Sequence, residues 1–259
     1  MLILLPPSET KTPPTTGEPL QLDSLDLPEL TPTRERLLRA LVTVCRGNRS
    51  RAMKRLGLGH TQAEAVERNA QLLDQPTARA DEVYTGVLYA AWDPMTLSTD
   101  ARKRADESVA VASALFGLVR PGDHIPAYRL SGTVSLPRLG TVAGVWRPRL
   151  GPALERLVGG GLLMDLRSGS YVNLHRPAGD LASRTATIRV LHERSVPGKG
   201  VTRKVVSHFN KATKGRMVRE LLESDARPSD VGELRDALGN LGWTVERDGN
   251  RLDVVVASL

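Results

Sequence analysis

A seven-residue turn, Gly57-Leu58-Gly59-His60-Thr61-Gln62-Ala63, lies between two segments with helical patterns. Its Gly-apolar-Gly spacing is typical of a helix-hairpin-helix element, because two glycines allow a tight turn with positive φ. The glycines also leave backbone N–H groups uncovered at the start of the next helix, where a phosphate can bind. The turn therefore predicts a nucleic-acid backbone contact, and an ordinary interhelical turn is the alternative.

Basic residues come just before this turn and would hold further phosphates. The predicted DNA-binding set is Arg51, Lys54, Arg55, Gly57, Leu58, Gly59, His60 and Thr61. Phosphate contacts of this kind position a protein on DNA without reading base edges. We therefore expect duplex or distorted DNA as the partner, bound with a steep salt dependence and little sequence preference.

A second group of polar residues follows the apolar runs of the chain. Ligands in open mixed sheets bind beyond the ends of the strands, so these residues are predicted to line one cleft. In that cleft Arg120, Arg129 and Lys211 would hold a small anion, and Tyr128, Asp123 or Ser207 would assist acid–base chemistry. The alternative is that they form turns and structural ion pairs. The candidate cleft residues are Ser8, Glu9, Lys11, Tyr84, Thr85, Arg120, Asp123, Tyr128, Arg129, Arg167, Ser168, Ser207, Lys211 and Lys214.

Several other kinds of site are not favoured by the sequence. The five histidines are scattered and lack metal-ligand spacing, so no metal site and no direct iron chelation are expected. The triple glycine at Gly159-Gly160-Gly161 lacks the following Lys-Ser/Thr of a P-loop. Ser8 lies in no Gly-x-Ser-x-Gly elbow. No cofactor is expected.

The elements that must position these residues alternate irregularly between strands and helices. Apolar runs predict strands over 2–5, 109–118, 162–166 and 185–193, and alternation predicts strands over 203–209, 243–247 and 251–256. Helical patterns cover about 31–46, 49–56, 61–73, 100–108, 150–158 and 211–223, with a last helix capped by Asp230 and Glu233. The fold class expected is α+β (mixed α/β): one compact domain over 1–259, with a mixed sheet, surrounding helices and a helical insertion over 31–75 that carries the hairpin.

Composition limits the partners. The chain has 259 residues, of which 40% are hydrophobic and only 3% aromatic, which argues against a base-stacking platform for single strands. The formal net charge of +7 favours a polyanion as partner.

Cys45, the single cysteine, is expected in the core. No run is long enough to span a membrane, so no membrane partner and a cytosolic location are expected. The oligomeric state is left open.

Blocks along nearly the whole chain resemble the YaaA family of peroxide-stress proteins. The most specific block runs from Ser113 to Asp123 and continues at Pro126-Ala127-Tyr128-Arg129-Leu130. Supporting blocks are Leu2 to Lys11, Val83 to Gly86, Met164 to Ser168 with Tyr171, and Ser207 to Arg216. The resemblance implies a cytosolic protein that limits free intracellular iron and hydroxyl-radical damage during hydrogen peroxide stress. It also implies a mixed α/β fold with a positively charged cleft and a helix-hairpin-helix element that binds duplex DNA.

Two hypotheses therefore stand side by side. In the first, the chain is a DNA-binding stress protein that holds phosphates through the hairpin and the basic cleft. In the second, it is an enzyme that acts on a nucleotide, a nucleobase or another small anion in that cleft.

Overall fold

The computed structural model describes residues 1–167, 169–196, 200–205 and 207–257. The strands are β1 (Leu2–Leu5), β2 (Ala78–Arg79), β3 (Val109–Ser113), β4 (Gly117–Val119), β5 (His124–Ile125), β6 (Ser135–Leu136), β7 (Gly140–Thr141), β8 (Leu163–Asp165), β9 (Thr185–Val196), β10 (Gly200–Lys204), β11 (Thr244–Asp248) and β12 (Arg251–Ala257). The main sheet runs β11-β12-β9-β8-β1-β3-β4, and β10 also pairs with β9. This sheet is mixed, with parallel pairs at its centre and antiparallel pairs at its margins.

Helices pack around this sheet. They are α1 (Thr31–Arg46), α2 (Arg49–Leu56), α3 (Glu64–Ala70), α4 (Ala80–Val83), α5 (Val87–Trp92), α6 (Thr99–Ser108), α7 (Val142–Val158), α8 (Gly179–Ser183), α9 (Ser207–Glu223) and α10 (Val231–Asn240). The buried side chains of sheet and helices form one hydrophobic cluster that includes Cys45. The predicted α+β class with a mixed sheet is confirmed. The separate status of 31–75 as an insertion stays a prediction.

Strand β1 is the centre of the sheet. All four of its residues are buried, as expected for a parallel strand covered on both faces. It pairs in parallel with β3 on one side and with β8 on the other, so that Leu5 lies beside Val111 and Leu4 beside Asp165. The carboxyl ends of the three strands therefore meet at one edge, where polar segments follow each of them.

Strand β10 extends this edge outward. Residues 192 and 193 of β9 pair with both β10 and β12, so these two strands lie on opposite sides of β9. Since β8 also lies opposite β12 along β9, β10 lies on the β8 side, beyond the carboxyl end of β8. It forms a wall above the edge at which β1 and β8 end.

Four predicted elements differ from the structure. The apolar run 109–118 is a hairpin of β3 and β4 because Gly117, with φ of 79°, allows the chain to reverse. The predicted strand 203–209 is the end of β10 followed by the start of α9. The helix predicted at 150–158 begins at Val142 and contains Pro148 and Pro152. The helix predicted from Thr61 is a 3-10 turn over His60–Gln62 followed by α3, whose first turn has no side-chain cap.

Helices α5 and α9 pack at unusually close range. A Cβ atom added to Gly215 in α9 would lie 2.2 Å from the carbonyl oxygen of Leu88 in α5. Only glycine permits this approach, which brings α9 against the segment that follows the Tyr84-Thr85-Gly86 turn. Among the described residues, no helix is both long enough and apolar enough to cross a membrane.

Candidate functional site

A cleft of about 570 Å³ lies at the edge where β1 and β8 end. One wall is the segment after β1, from Pro6 to Thr10, and the opposite wall is the first turns of α9. Leu166, directly after β8, and the Thr85–Tyr89 segment complete it. Five of the predicted cleft residues line this space, namely Ser8, Glu9, Thr85, Lys211 and Lys214.

Hydrogen bonds fix the segment after β1. The Ser8 hydroxyl donates to the carbonyl of Thr10 (2.5 Å) and accepts from the backbone N–H of Thr85 (3.0 Å). The Tyr89 hydroxyl donates to the carbonyl of Pro6 (2.8 Å). Because each hydroxyl serves the backbone, Ser8 and Tyr89 hold the cleft wall in place.

Lys11 lies beneath this wall. Its Nζ donates to the carbonyl of Ser8 (2.6 Å) and sits 4.3 Å from the ring centre of Tyr128 and 5.2 Å from that of Tyr84. Burial, together with the nearby charge of Arg129, lowers the pKa of Lys11 to about 7, against the opposing carboxylate of Glu9. An amine with this pKa is partly neutral at physiological pH, and a neutral amine can accept a proton or act as a nucleophile.

The two tyrosines beside Lys11 belong to a buried hydroxyl chain. The hydroxyl oxygens of Tyr84 and Tyr128 are 3.0 Å apart, and that of Tyr128 is 2.7 Å from Ser113 Oγ. The Ser113 hydroxyl in turn accepts from the N–H of Phe116 (2.9 Å). Burial raises the pKa of both tyrosines above the usual range, so both stay protonated. They lie behind the cleft wall and can act as hydrogen-bond donors rather than as bases.

Two side chains of α9, one helical turn apart, face the cleft. Lys214 is buried, and its Nζ donates to the carbonyl of Leu166 at 3.2 Å. Burial lowers the pKa of Lys214 to about 8, with Asp165 opposing that shift. Asn210 has a buried side-chain oxygen that no described residue contacts by a hydrogen bond. In the described part of the cleft, Lys214 is therefore a buried cation and Asn210 a buried acceptor that lacks a donor.

Arg129 lies at the cleft rim. It pairs with Glu9, with Nη2 2.9 Å from the carboxylate, and Nη1 also donates to the Glu9 carbonyl. Its backbone is held by Asn69 of α3 through two hydrogen bonds. The rim of the cleft is thus tied directly to the helix that follows the hairpin.

Arg120 and Asp123 are not part of this cleft. Because β4 runs antiparallel to β3, the chain returns to the opposite edge of the sheet before it reaches them. Arg120 donates there to the carbonyls of Glu107 and Val109. Asp123 accepts from the backbone N–H groups of Arg120 (2.8 Å) and Asp26 (2.9 Å). Both have structural roles, and their predicted placement in the cleft is wrong.

Arg167 does not line this cleft either. It forms a buried two-contact ion pair with Asp165, with Nε 2.9 Å and Nη2 2.8 Å from the two carboxylate oxygens. Both residues line a separate cavity of about 300 Å³. Ser168 lies outside the described residues, as does the side chain of Ser207, whose backbone begins α9.

The hairpin has the geometry that the sequence predicts. Gly57 ends α2 in the left-handed region with φ of 66°, and a Cβ atom on Gly57 or Gly59 would meet no atom within 4 Å. The predicted contact residues Arg51, Lys54, Arg55, His60 and Thr61 are exposed, whereas Leu58 is half-buried and packs against the core. The turn therefore presents an open backbone beside exposed cations.

Two of the amides expected to hold phosphate are already in use. The N–H of Leu58 donates to the Met53 carbonyl (2.9 Å), and that of Gly59 to the side-chain oxygen of Gln62 (3.2 Å). His60 and Thr61 open the 3-10 turn, and no acceptor for either N–H occurs among the described residues. Their two amides and the basic side chains remain for an anion.

Sequence reasoning missed three contributors to these sites. Tyr89 and Ser113 act only through their backbone and hydroxyl partners, which no motif indicates. Asn69 lies within the apolar pattern of α3. Its position on the apolar face of the helix is the one clue that the sequence offers, since a buried polar residue there must find a hydrogen-bond partner.

Comparison with known proteins identifies the family of this chain. The family model described as "Peroxide stress protein YaaA" matches residues 1–248. The chain belongs to the YaaA family of peroxide-stress proteins. It is 46% identical over 263 residues to a UPF0246 protein of Streptomyces coelicolor, covering 99% of this chain and 98% of that one. UPF0246 proteins of Corynebacterium efficiens and Corynebacterium glutamicum are 41% and 37% identical, each over 98% of both chains.

Membership of the YaaA family confirms the resemblance inferred from the sequence blocks, several of which border the cleft. Within the described part of this YaaA-family chain, no group of three or more His, Cys, Asp or Glu residues is placed to hold a metal ion.

Proposed function

We propose that this YaaA-family protein acts in the cytosol under peroxide stress by binding DNA without sequence specificity, and so limits free iron and hydroxyl-radical damage. The α2–α3 hairpin would hold the DNA backbone, and the cleft would lie beside it. The observation that carries the proposal is the open turn at Gly57–Thr61, with two uncovered N–H groups beside exposed Arg51, Lys54 and Arg55. Uncovered amides and guanidinium groups are the common ligands of DNA phosphates.

The electrostatics of the hairpin support a polyanionic partner. Arg51, Lys54 and Arg55 pair with no carboxylate among the described residues, although Arg55 also reaches the Ser135 carbonyl at 3.4 Å. The neighbouring Arg49, by contrast, pairs with Glu67 (3.1 Å). These three cations lie on the exposed side of α2 without carboxylate partners in the described chain, so each can displace one counterion from DNA.

A charge-neutralising variant tests this proposal. In R51Q/K54Q/R55Q, three phosphate contacts are removed, so the slope of log affinity against log salt for duplex DNA should fall in magnitude by about 3. The matched control is R227Q/R235Q/R247Q, which removes the same charge from exposed residues near the carboxyl end. Equal loss in both triple variants, measured by fluorescence anisotropy, would reduce the effect to net charge and contradict a hairpin site.

A second candidate function is an enzyme that acts on a nucleotide, a nucleobase or another small anion in the cleft. Lys11 favours it, because this lysine lies directly behind the cleft wall at Ser8 and its pKa, lowered to about 7, suits proton abstraction or nucleophilic attack. Arg129 and Lys211 stay near the cleft as anion-binding groups, whereas Arg120 and Asp123 are removed from this hypothesis by their position.

The test of the enzymatic candidate is turnover. Purified protein is incubated with nucleotides and nucleosides, and products are separated by chromatography. Product formed by the wild type and not by Lys11→Met would support catalysis at this amine. Product formed equally by both would exclude Lys11 as a catalytic residue.

A further inference from the structure

We propose that the cleft is a binding site for a single nucleotide, whose base lies between the apolar walls and contacts Asn210 and Lys214. The source is either an unpaired nucleotide of bound DNA or a free mononucleotide, and in the first case the inference rests on the proposed function. Both sources present the same chemistry, which is a flat heterocycle with N–H donors and ring acceptors joined to a phosphate.

The walls of the cleft favour a flat organic group over a bare anion. Pro6, Pro7, Leu88, Leu166 and Val205 give it a largely apolar lining. A volume of about 570 Å³ is within the range of small-molecule sites and is far more than a phosphate ion needs. Tyr171 adds a ring at the lining, and burial raises its pKa to about 12, so it stays neutral.

Two polar side chains of α9 would form hydrogen bonds with the edge of such a base. A buried oxygen without a donor costs free energy, so the unpaired side-chain oxygen of Asn210 would gain from an N–H of the ligand. Lys214 has three donors, and among the described residues only the Leu166 carbonyl accepts from it. A ring nitrogen or a carbonyl of the base could accept from the others. The spacing of four residues places both side chains on one helix face.

The phosphate has its own contacts at the cleft mouth. Lys211 is exposed and lines the cleft one residue after Asn210. Among the described residues that line the cleft, Glu9 is the one carboxylate, and Arg129 neutralises it. Val205, which is 54% exposed, is an apolar residue of the cleft lining. An exposed apolar side chain at the opening can pack against a neighbouring base when the nucleotide belongs to DNA.

The experiment has two arms. In the first, the fluorescence of 2-aminopurine reports on duplex DNA carrying one unpaired 2-aminopurine, with a fully paired duplex as reference. In the second, calorimetry measures the binding of free dAMP. We expect at least one ligand to bind the wild type about tenfold more tightly than it binds N210L/K214M. The Asn210 oxygen and the Lys214 side chain are buried, so apolar side chains of similar size suit both positions, and circular dichroism checks that the variant folds. The matched control is N240L/K103M, at exposed positions of α10 and α6.

Each outcome is decisive. A preference for the unpaired duplex that is lost in N210L/K214M assigns the site to nucleotides of DNA. Binding of dAMP lost in that variant, without a preference for unpaired DNA, assigns it to free nucleotides. No binding in either arm, or binding equal in the variant and the wild type, overturns the proposal. If R51Q/K54Q/R55Q loses duplex affinity while N210L/K214M keeps it, the hairpin is upheld even where the nucleotide site fails.

Discussion

The side-chain amide of Asn69 holds the backbone of Arg129 through two hydrogen bonds, accepting from its N–H at 2.9 Å and donating to its carbonyl at 2.8 Å. Asn69 lies in α3, directly after the hairpin, and Arg129 pairs with Glu9 on the cleft wall. Helix α3 therefore connects the hairpin to the cleft rim through this pair of hydrogen bonds.

Asn69→Ala should destabilise the fold and loosen the cleft rim. The substitution leaves a peptide N–H and carbonyl without partners, at a cost of about 1–3 kcal/mol. Hydrogen exchange at the Arg129 amide should accelerate, and the melting temperature should fall. Asn173→Ala, at an exposed position, is the control and should change neither. An Arg129 amide that stays equally protected would contradict the link.

Gly57→Val and Gly59→Val should have different effects. Gly57 is left-handed, where a β-branched residue costs at least about 1–2 kcal/mol, so Gly57→Val should lower the melting temperature. Gly59, with φ of −76° and ψ of 167°, accepts valine without strain. Its new side chain would cover the His60 and Thr61 amides, and losing one charge-assisted hydrogen bond of about 1.5 kcal/mol weakens DNA binding about tenfold. A stable Gly59→Val that binds DNA normally would show that these amides contact no phosphate.

The lowered pKa of Lys11 makes stability depend on pH. Between about pH 7 and the ordinary lysine value of 10.5, the unfolded chain carries a proton on Lys11 that the folded chain has released. Folded stability therefore rises with pH in this window, by at most about 1.4 kcal/mol per pH unit, and is independent of Lys11 below it. Urea unfolding of the wild type and Lys11→Met measures the difference. Parallel pH profiles for the two proteins would show that Lys11 titrates normally.

Gly215→Ala should force α5 and α9 apart. The added methyl group would lie 2.2 Å from the Leu88 carbonyl oxygen, in contact with rigid backbone. We expect a loss of stability of about 1–3 kcal/mol, as for other overpacked sites, together with a widened cleft. Gly239→Ala in α10 is the matched control. Its added methyl group meets nothing within 4 Å, so it should stabilise by up to about 1 kcal/mol. Similar melting temperatures in both variants would contradict the close packing.

Local patterns predicted much of the fold. The four apolar residues of β1, the helix that ends before Gly47 and the Asp230 cap each depend on neighbouring residues alone, and each is confirmed. The terminal hairpin β11–β12 around Gly249 is confirmed for the same reason. The hairpin turn at Gly57 could be found because left-handed glycines have a strong sequence preference.

The cleft was harder to predict because its composition depends on the direction in which the strands run. One missed reversal at Gly117 moved Arg120 and Asp123 to the wrong edge of the sheet. Long-range partners also had no local indication. Arg34 is fully buried and donates to the carbonyls of Phe116, Leu118 and Asp26, although its sequence position resembles a surface helix residue.

The most direct test of DNA binding is fluorescence anisotropy of the wild-type protein with two labelled duplexes of unrelated sequence, titrated from about 50 to 300 mM salt. We predict micromolar or tighter binding at low salt, equal affinities for the two sequences, and a steep loss of affinity as salt rises. Absence of binding at 50 mM salt, or strong preference for one sequence, would contradict a hairpin that holds the DNA backbone.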